Sequence, residues 1–326
     1  MANTDSAKIY DQVREHYSSA SRSTSIKYGE TVAKSFGYSA EELASIPQDS
    51  NLGLSCGNPL AIASLKEGET VVDLGSGAGF DVFLAATKLG PSGRAIGIDI
   101  NDDMLARANR IKSTTANNDN ITFIKGNITS VPLPAETADC IISNCVINLV
   151  PRADKPAVFR EMHRLLKKGG RVAVSDILAK KALPEKLSAD VAMYVGCIAG
   201  ASQVEEYEAW LREAGFQDVV IVDTGADLNV YLETGADGKK KGACCAPAAS
   251  PAPDSGEGGR CCDPVPGSGC CSSEPAAPDA AASAACCAPA EATTPADGFA
   301  IPAGVVPEKT DLNEFVGSYK IFAVKS

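Results

Sequence analysis

"VVDLGSGAGFD", residues 71–81, decides the fold. Apolar β-formers lead into it, an acid breaks the run at Asp73, and Gly75, Gly77 and Gly79 follow before a helical pattern begins. A strand that turns through glycines into a helix is the unit of a parallel sheet, whose ligands bind beyond the strands' carboxyl ends. The spacing is G-x-G-x-G rather than the dinucleotide G-x-G-x-x-G, with the acid inside the strand end. A pyrophosphate seeks a helix N-terminus without negative charge nearby. An acid at this point suits a cationic or amino-bearing ligand, and the glycines let it approach the backbone closely.

The pattern repeats outward from there. "RAIGIDI" (94–100), "ITFIKG" (121–126), "DCIISNC" (139–145) and "RVAVSDIL" (171–178) read as further strands. Between them, "DVFLAATKLG" (81–90), "DDMLARANRIKS" (102–113) and "KPAVFREMHRLLKKGG" (155–170) carry helical spacing, with glycines closing the first and last. A helix at about 203–214 and a strand "QDVVIVD" (217–223) follow. Alternation of this kind predicts an α/β fold, a doubly wound and mostly parallel Rossmann-like sheet. Composition shifts near residue 235: up to about 310 the chain is dominated by Ala, Pro, Gly, Ser and Cys and cannot bury enough apolar surface to offset ordering. That segment is expected to be a disordered insertion, because "GSYKIFAVK" (317–325) reads as a strand again, the antiparallel last strand of a core formed by residues 1–233 with an N-terminal helical cap.

The chain has 326 residues, 44% of them hydrophobic, and a net charge of −11. No apolar run approaches the ~18 residues of a membrane span, and the N-terminus lacks the basic-then-apolar pattern of a signal peptide. A cytoplasmic protein without a membrane partner is expected. Nucleic acid is an unsuitable partner for so acidic a chain, whose longest lysine run, in "GKKK" (238–241), reads as a solvated loop.

Asp99 ends the second strand, about 20 residues beyond the glycine turn, where an acid can accept both hydroxyls of a ribose. Together with "GNITSVPLP" (126–134) and "LLKKGGRVAVSD" (165–176), these features resemble the class I S-adenosylmethionine methyltransferases. The resemblance implies that Asp73 and the Gly75, Ser76, Gly77 and Gly79 loop hold the methionine end of S-adenosylmethionine and Asp99 its ribose. It puts Asn127 and Ile128 beside the adenine, where many relatives carry Asp in place of Asn127, and Ile100, Met104 and Asn144 against the same cofactor.

Methyl transfer to oxygen or nitrogen often needs a base, yet the only histidines are His16 and His163, both on amphipathic helices where they read as surface or packing residues. Thiols are abundant instead. Of 12 cysteines, eight form four adjacent pairs at 244–245, 261–262, 270–271 and 286–287. Without a secretion signal a disulfide framework is not expected, and the thiols read as reduced. Cys140 lies inside a strand and reads as core. Cys56, Cys145 and Cys197 lie on three separate segments near the strands' carboxyl side, and each alone could equally be a small buried hydrophobe. Three thiolates together favour a soft centre such as trivalent arsenic, whose lone pair needs no deprotonation to attack a methylsulfonium.

"YGETVAKSFGYSAEELASIPQDSNLGLSCGNP" (28–59), "SNCVINL" (143–149), "MYVGCIAGA" (193–201) and "ADLNVY" (226–231) are similar to the arsenite S-adenosylmethionine methyltransferases. The resemblance covers about 25–233 and the final strand. It implies that Cys56, Cys145 and Cys197 hold arsenite or methylarsenite during a methylation that serves arsenic detoxification. Many relatives carry a further N-terminal cysteine that forms a disulfide during turnover. This chain reads "HYSSASRSTS" (16–25) there, so reduction of the oxidised arsenic falls to the paired cysteines or to an external thiol reductant of the glutathione or thioredoxin type. Two other readings stay open on the residues: methylation of a small organic acceptor, and a binding protein whose cysteine-rich segment sequesters metalloid.

Overall fold

A computed structural model describes residues 2–22, 26–116, 118–184, 194, 197–233 and 311–326. The segment expected to be a disordered insertion, with all four cysteine pairs, lies outside the described residues. Before the first strand the described residues form four α-helices: α1 (Ala2–Ala20), α2 (Ile26–Ser35), α3 (Ala40–Ala44) and α4 (Leu60–Ala63). The alternating core follows as β1 (Thr70–Leu74), α5 (Phe80–Leu89), β2 (Arg94–Asp99), α6 (Asp102–Thr114), β3 (Ile121–Lys125), β4 (Ala138–Asn144), α7 (Lys155–Leu165) and β5 (Leu166–Ala179). The chain continues through α8 (Val204–Glu213), β6 (Val220–Asp223) and α9 (Val230–Glu233) to β7 (Val316–Val324).

The sheet order is β3-β2-β1-β4-β5-β7-β6. The first five of these strands run parallel, and β7 is antiparallel to both β5 and β6. This is the expected doubly wound sheet with its antiparallel last strand. The direction of winding reverses between β1 and β4, which pair as Asp73↔Ile142 and Leu74↔Ser143, so a crevice opens beyond their carboxyl ends. Two of the expected strands have other bounds than the sequence implied. The strand over "DCIISNC" ends at Asn144, because Cys145 turns to φ 59°, and "QDVVIVD" pairs only from Val220.

Central strands are buried on both faces, which explains their unalternated apolar runs. On one face Val71, Cys140, Ile142 and Ala173 pack with α5, and Tyr38, Ile46 and Leu60 from the N-terminal elements cover the same cluster. That second covering layer is why α5 is buried from Phe80 through Ala86 rather than along one stripe. Cys140 is fully buried here, as expected, and burial pushes its thiol up to about 12. On the other face α7 and α8 close over Ile141, Val172 and Val174 through Phe159, Met162, Tyr207 and Leu211. Among the described residues no helix is long and apolar enough to cross a membrane.

One buried cation ties the N-terminal helices to the sheet layer. Arg107 on α6 donates from Nε and Nη2 to the Asp49 carbonyl (3.0 and 2.7 Å) and from Nη1 to the Ser21 carbonyl. Replacing it with methionine keeps the bulk and strands those carbonyls. Arg107→Met should lower unfolding free energy by about 3 kcal/mol in a urea titration, and unchanged stability would show the carbonyls to be satisfied otherwise.

Candidate active site

Beyond the carboxyl ends of β1, β2 and β4 lies a cleft of about 1060 Å³ with the open solvent at its mouth included. The glycine turn forms its floor. Gly75, Gly77 and Gly79 all take positive φ (80°, 52° and 91°), and a side chain at Gly75 would run into Val146. Asp99 secures the turn by accepting the Gly77 N–H (2.8 Å) and the Asn101 N–H (2.8 Å). Asn101 caps α6 and donates to the Arg14 carbonyl (2.9 Å), which seats α1 along the cleft. Tyr10, Val13, Arg14 and Tyr17 of that helix join the wall.

Of the residues expected at the cofactor, Asp73, Gly75, Ser76, Gly77, Asp99, Ile100, Met104, Asn127, Ile128 and Asn144 all line this cleft. Gly79 is not part of the wall. It starts α5 with its α-carbon packed toward the Phe83 and Phe123 rings, so close helix–sheet packing is what excludes a side chain there.

The electrostatics of the cleft call for positive charge. Burial, then the charges of Asp81 and Asp99, hold the Asp73 carboxyl well above its usual range. Asp81 is pushed up to about 6 by burial, against the opposing hydrogen bonds from Tyr38 and Asn144, and burial raises Asp99 as well. The Ser76 hydroxyl, buried on the cleft wall, has no hydrogen-bond partner among the described residues. Crowded carboxylates and an orphaned hydroxyl fit a ligand with an amino group, a cationic centre and hydroxyls, as S-adenosylmethionine has. Because a cation favours the ionised carboxylates, its affinity should rise as pH climbs from 5 to 7, by up to about tenfold per unit below a carboxyl's pKa. Calorimetric titration of S-adenosylmethionine at three pH values tests this, and a flat profile would count against it. The free protein behaves oppositely. A raised folded-state pKa binds protons that the unfolded chain releases, so the Asp81 contribution to stability falls between about pH 4 and about 6.

Three cysteines gather beside the cleft. Cys145 follows directly on β4, its N–H donating to the Ser175 carbonyl (2.9 Å), and it lines the cleft. Cys56 is fully buried and comes from the loop before α4. Its carbonyl accepts from Ser318 Oγ of β7 (2.6 Å) and its N–H donates to Asn144 Oδ1 (3.2 Å). Cys197 is also fully buried, and its thiol donates to the Cys145 carbonyl (2.6 Å). The expectation of uniformly reduced thiols is corrected: Cys56 and Cys145 form a disulfide, with α-carbons 5.6 Å apart. Adjacent loops of the fold, rather than a secretory framework, bring this pair together. Differential alkylation with peptide mapping should label Cys56 and Cys145 only after reduction, and labelling before reduction would refute the bridge.

Tyr38, Asp81 and Asp176 are site residues that the sequence reading does not single out, and the first two meet at Asn144, which it does. Asn144 Nδ2 donates to Asp81 Oδ2 (3.0 Å), the Tyr38 hydroxyl oxygen (2.9 Å) and the Gly57 carbonyl (3.0 Å), while Tyr38 donates to Asp81 Oδ1 (2.6 Å). The loop bearing Cys56 is thereby tied to the helix that follows the glycine turn. Asp176, at 0% exposure, presents a carboxylate oxygen within 4.8 Å of both bridged sulfurs. Its signal in the sequence is an acid within an apolar strand, as at Asp73. The left-handed backbone of Cys145 and Cys197 (φ 59° and 60°) had no such signal. Each such conformation costs on the order of 1–3 kcal/mol and is found mainly where function demands it. Neither His16 nor His163 lines the cleft, and His163 packs edge-on against Phe216.

Residues 65–215 match a methyltransferase domain family. The chain is 43% identical over 210 residues to an arsenite methyltransferase of Halobacterium salinarum, an alignment covering 60% of this chain and 52% of that protein. An arsenite methyltransferase of Aquipseudomonas alcaligenes is 37% identical, with 54% and 52% covered. The chain therefore spans about half the length of these relatives. Among solved structures, an arsenic(III) S-adenosylmethionine methyltransferase from Chlamydomonas reinhardtii aligns with a TM-score of 0.46 and 28% identity, covering 62% of this chain and 68% of that one.

Proposed function

We propose, on the premise that residues 65–215 are a methyltransferase domain with the class I fold, that this chain transfers methyl groups from S-adenosylmethionine to trivalent arsenic held by Cys56, Cys145 and Cys197. The observation that carries the reading is the meeting of these three cysteines, from three separate segments, against an acidic cleft suited to a sulfonium cofactor. Similarity to two arsenite methyltransferases supports the same reading.

When bound, S-adenosylmethionine supplies an electrophilic methyl group. Asp73 and Asp99 would hold its amino and ribose ends, Ser76 would give its free hydroxyl to the methionine end, and Asn127 and Ile128 would flank the base. On the acceptor side the Cys56–Cys145 bridge must first be reduced. Three thiols then exchange for the hydroxides of arsenite, As(OH)₃ + 3 RSH → As(SR)₃ + 3 H₂O, and the arsenic keeps its lone pair. That lone pair is the nucleophile, so the cleft needs no base, in keeping with two histidines placed off its wall. The cysteines' task is to position the arsenic. Each transfer leaves arsenic pentavalent, and two electrons from a thiol reductant of the glutathione or thioredoxin type, or from the paired cysteines of 244–287, restore the trivalent state.

The test is incubation of the reduced chain with arsenite, S-adenosylmethionine and glutathione, with arsenic species separated and quantified. Methylated arsenic should accumulate over many turnovers. Cofactor binding without methylated arsenic would overturn the reading in favour of an organic acceptor.

A further inference from the structure

We infer that a repeated tripeptide forms a clasp behind the thiol site, and that Tyr231 and Ser318, one on each arm leaving it, are positioning residues for the Cys56 loop, roles whose functional meaning rests on the proposed arsenic chemistry. The tripeptide Asp-Leu-Asn occurs at 227–229 and again at 311–313. The two copies bind each other reciprocally. Asn229 Nδ2 donates to Asp311 Oδ1 (2.8 Å), and Asn313 Nδ2 donates to Asp227 Oδ1 (2.7 Å). The Leu312 N–H donates to Asn229 Oδ1 (3.1 Å), and the Leu228 N–H donates to Asn313 Oδ1 (2.9 Å). Each aspartate also accepts the N–H of the asparagine in its own copy, at 3.0 and 2.9 Å. Every bond made by one copy has its counterpart in the other. The arrangement needs an amide, which offers both a donor and an acceptor, opposite a carboxylate, which only accepts.

The polar side chains of the clasp stay off the cleft wall, but its leucines reach the thiols' surroundings. Leu228 and Leu312 have no exposed surface and belong to the apolar cluster that contains Cys56, Cys145 and Cys197. Two residues beyond the first copy stands Tyr231, which is 1% exposed. Its hydroxyl donates to the Ser55 carbonyl (2.8 Å), and its ring packs on that of Phe36 (5.4 Å between centroids). On the other arm β7 starts at Val316, and Ser318 Oγ donates to the Cys56 carbonyl (2.6 Å). Successive carbonyls of the Cys56 loop are thus held by hydroxyls from the two arms. Joining those arms at the clasp removes freedom that would otherwise have to be lost when both hydroxyls engage one loop. A sulfur held in this way meets its partner at a high effective concentration.

The test reads the Cys56–Cys145 bridge in equilibrium with glutathione, RSSR + 2 GSH → 2 RSH + GSSG. It uses the full chain, with alkylation and peptide mapping so that only these two cysteines are counted. Tyr231→Phe keeps the ring and removes one of the two hydroxyls, and Ser318→Ala removes the other. Each should shift the equilibrium toward the thiols by about fivefold, the size of one hydrogen bond to a buried carbonyl. Asn229→Asp sets a second carboxylate against Asp311 and should shift it by a similar factor. Adding Asp311→Asn places one donor opposite one acceptor again, and should return the equilibrium to within about twofold of the parent's. A general loss of stability would not be reversed in this way. An unshifted equilibrium in folded Tyr231→Phe and Ser318→Ala chains would overturn the positioning roles. An Asn229→Asp effect that is absent, or that Asp311→Asn does not reverse, would overturn the clasp. A parent whose Cys56 and Cys145 stay thiols at every glutathione ratio would overturn both. If the parent forms the bridge but accumulates no methylated arsenic, the arsenic reading fails, and the bridge equilibrium still decides what holds the Cys56 loop.

Discussion

Cys145→Ser is expected to remove arsenite methylation, with a loss on the order of 10³-fold or more, while S-adenosylmethionine still binds. Of the three cysteines it alone opens on the cleft, at the carboxyl end of β4 beside the cofactor wall. Serine has nearly the same shape, but its hard oxygen exchanges back to water where a thiolate would keep the soft arsenic. A reacting atom no longer held in place forfeits most of the advantage of proximity, which accounts for the size of the loss. The cofactor contacts assigned to Asp73, Asp99 and Ser76 are untouched, so calorimetric affinity for S-adenosylmethionine should stay within about threefold. A folded variant that methylates arsenite within tenfold of the parent would sink the assignment of Cys145 as an arsenic ligand.

Asp99→Ala should act on the other half of the reaction. A ribose hydroxyl pair on a carboxylate makes two charge-assisted hydrogen bonds, each contributing about 1.5–3 kcal/mol. Their loss corresponds to a rise in Kd of about 10²–10⁴-fold at 1.4 kcal/mol per decade. Part of the effect comes from the protein itself, since Asp99 also accepts the Gly77 and Asn101 N–H groups and so fixes the glycine turn and the start of α6. Asp99→Asn separates the two contributions: it retains one acceptor oxygen and the side-chain shape, and should cost less. Arsenite binding to the reduced cysteines should be unchanged in both variants. Equal S-adenosylmethionine affinity in the parent and Asp99→Ala would remove Asp99 from the cofactor site.

The glycine turn was legible in the chain because each of its requirements is local. A run of buried β-formers, an acid at the strand end and glycines at positive φ are properties of neighbouring residues. The same holds for the helix start at Asn101, where a short polar side chain accepts from Asp103 and Met104 N–H groups. Gly79 shows the limit of such reading: the motif groups it with Gly75 and Gly77, yet its requirement comes from Phe123, a residue of a different strand. Lys155 shows it more sharply. At the polar start of an amphipathic helix it has the pattern of a solvated cation, and only the return of residues 200–202 over it makes it buried. "VINL" likewise looks like a simple return to the core, although Asn148 within it carries three hydrogen bonds.

By itself the sequence determined the doubly wound sheet, its antiparallel last strand, the acidic glycine-lined cofactor wall and the three candidate cysteines, since these follow from periodicity, turn chemistry and residue type along short stretches. Tertiary structure alone decided which cysteines are neighbours and in what state. Cys56 and Cys145 are 89 residues apart and become a bonded pair only because a loop crosses the end of β4, while the Cys197 thiol reaches the Cys145 carbonyl and the Cys197 carbonyl accepts from buried Asn148. Distances between sulfurs, and the burial that sets a thiol's or an ammonium's protonation, arise when remote segments exclude water together, and no local pattern encodes that.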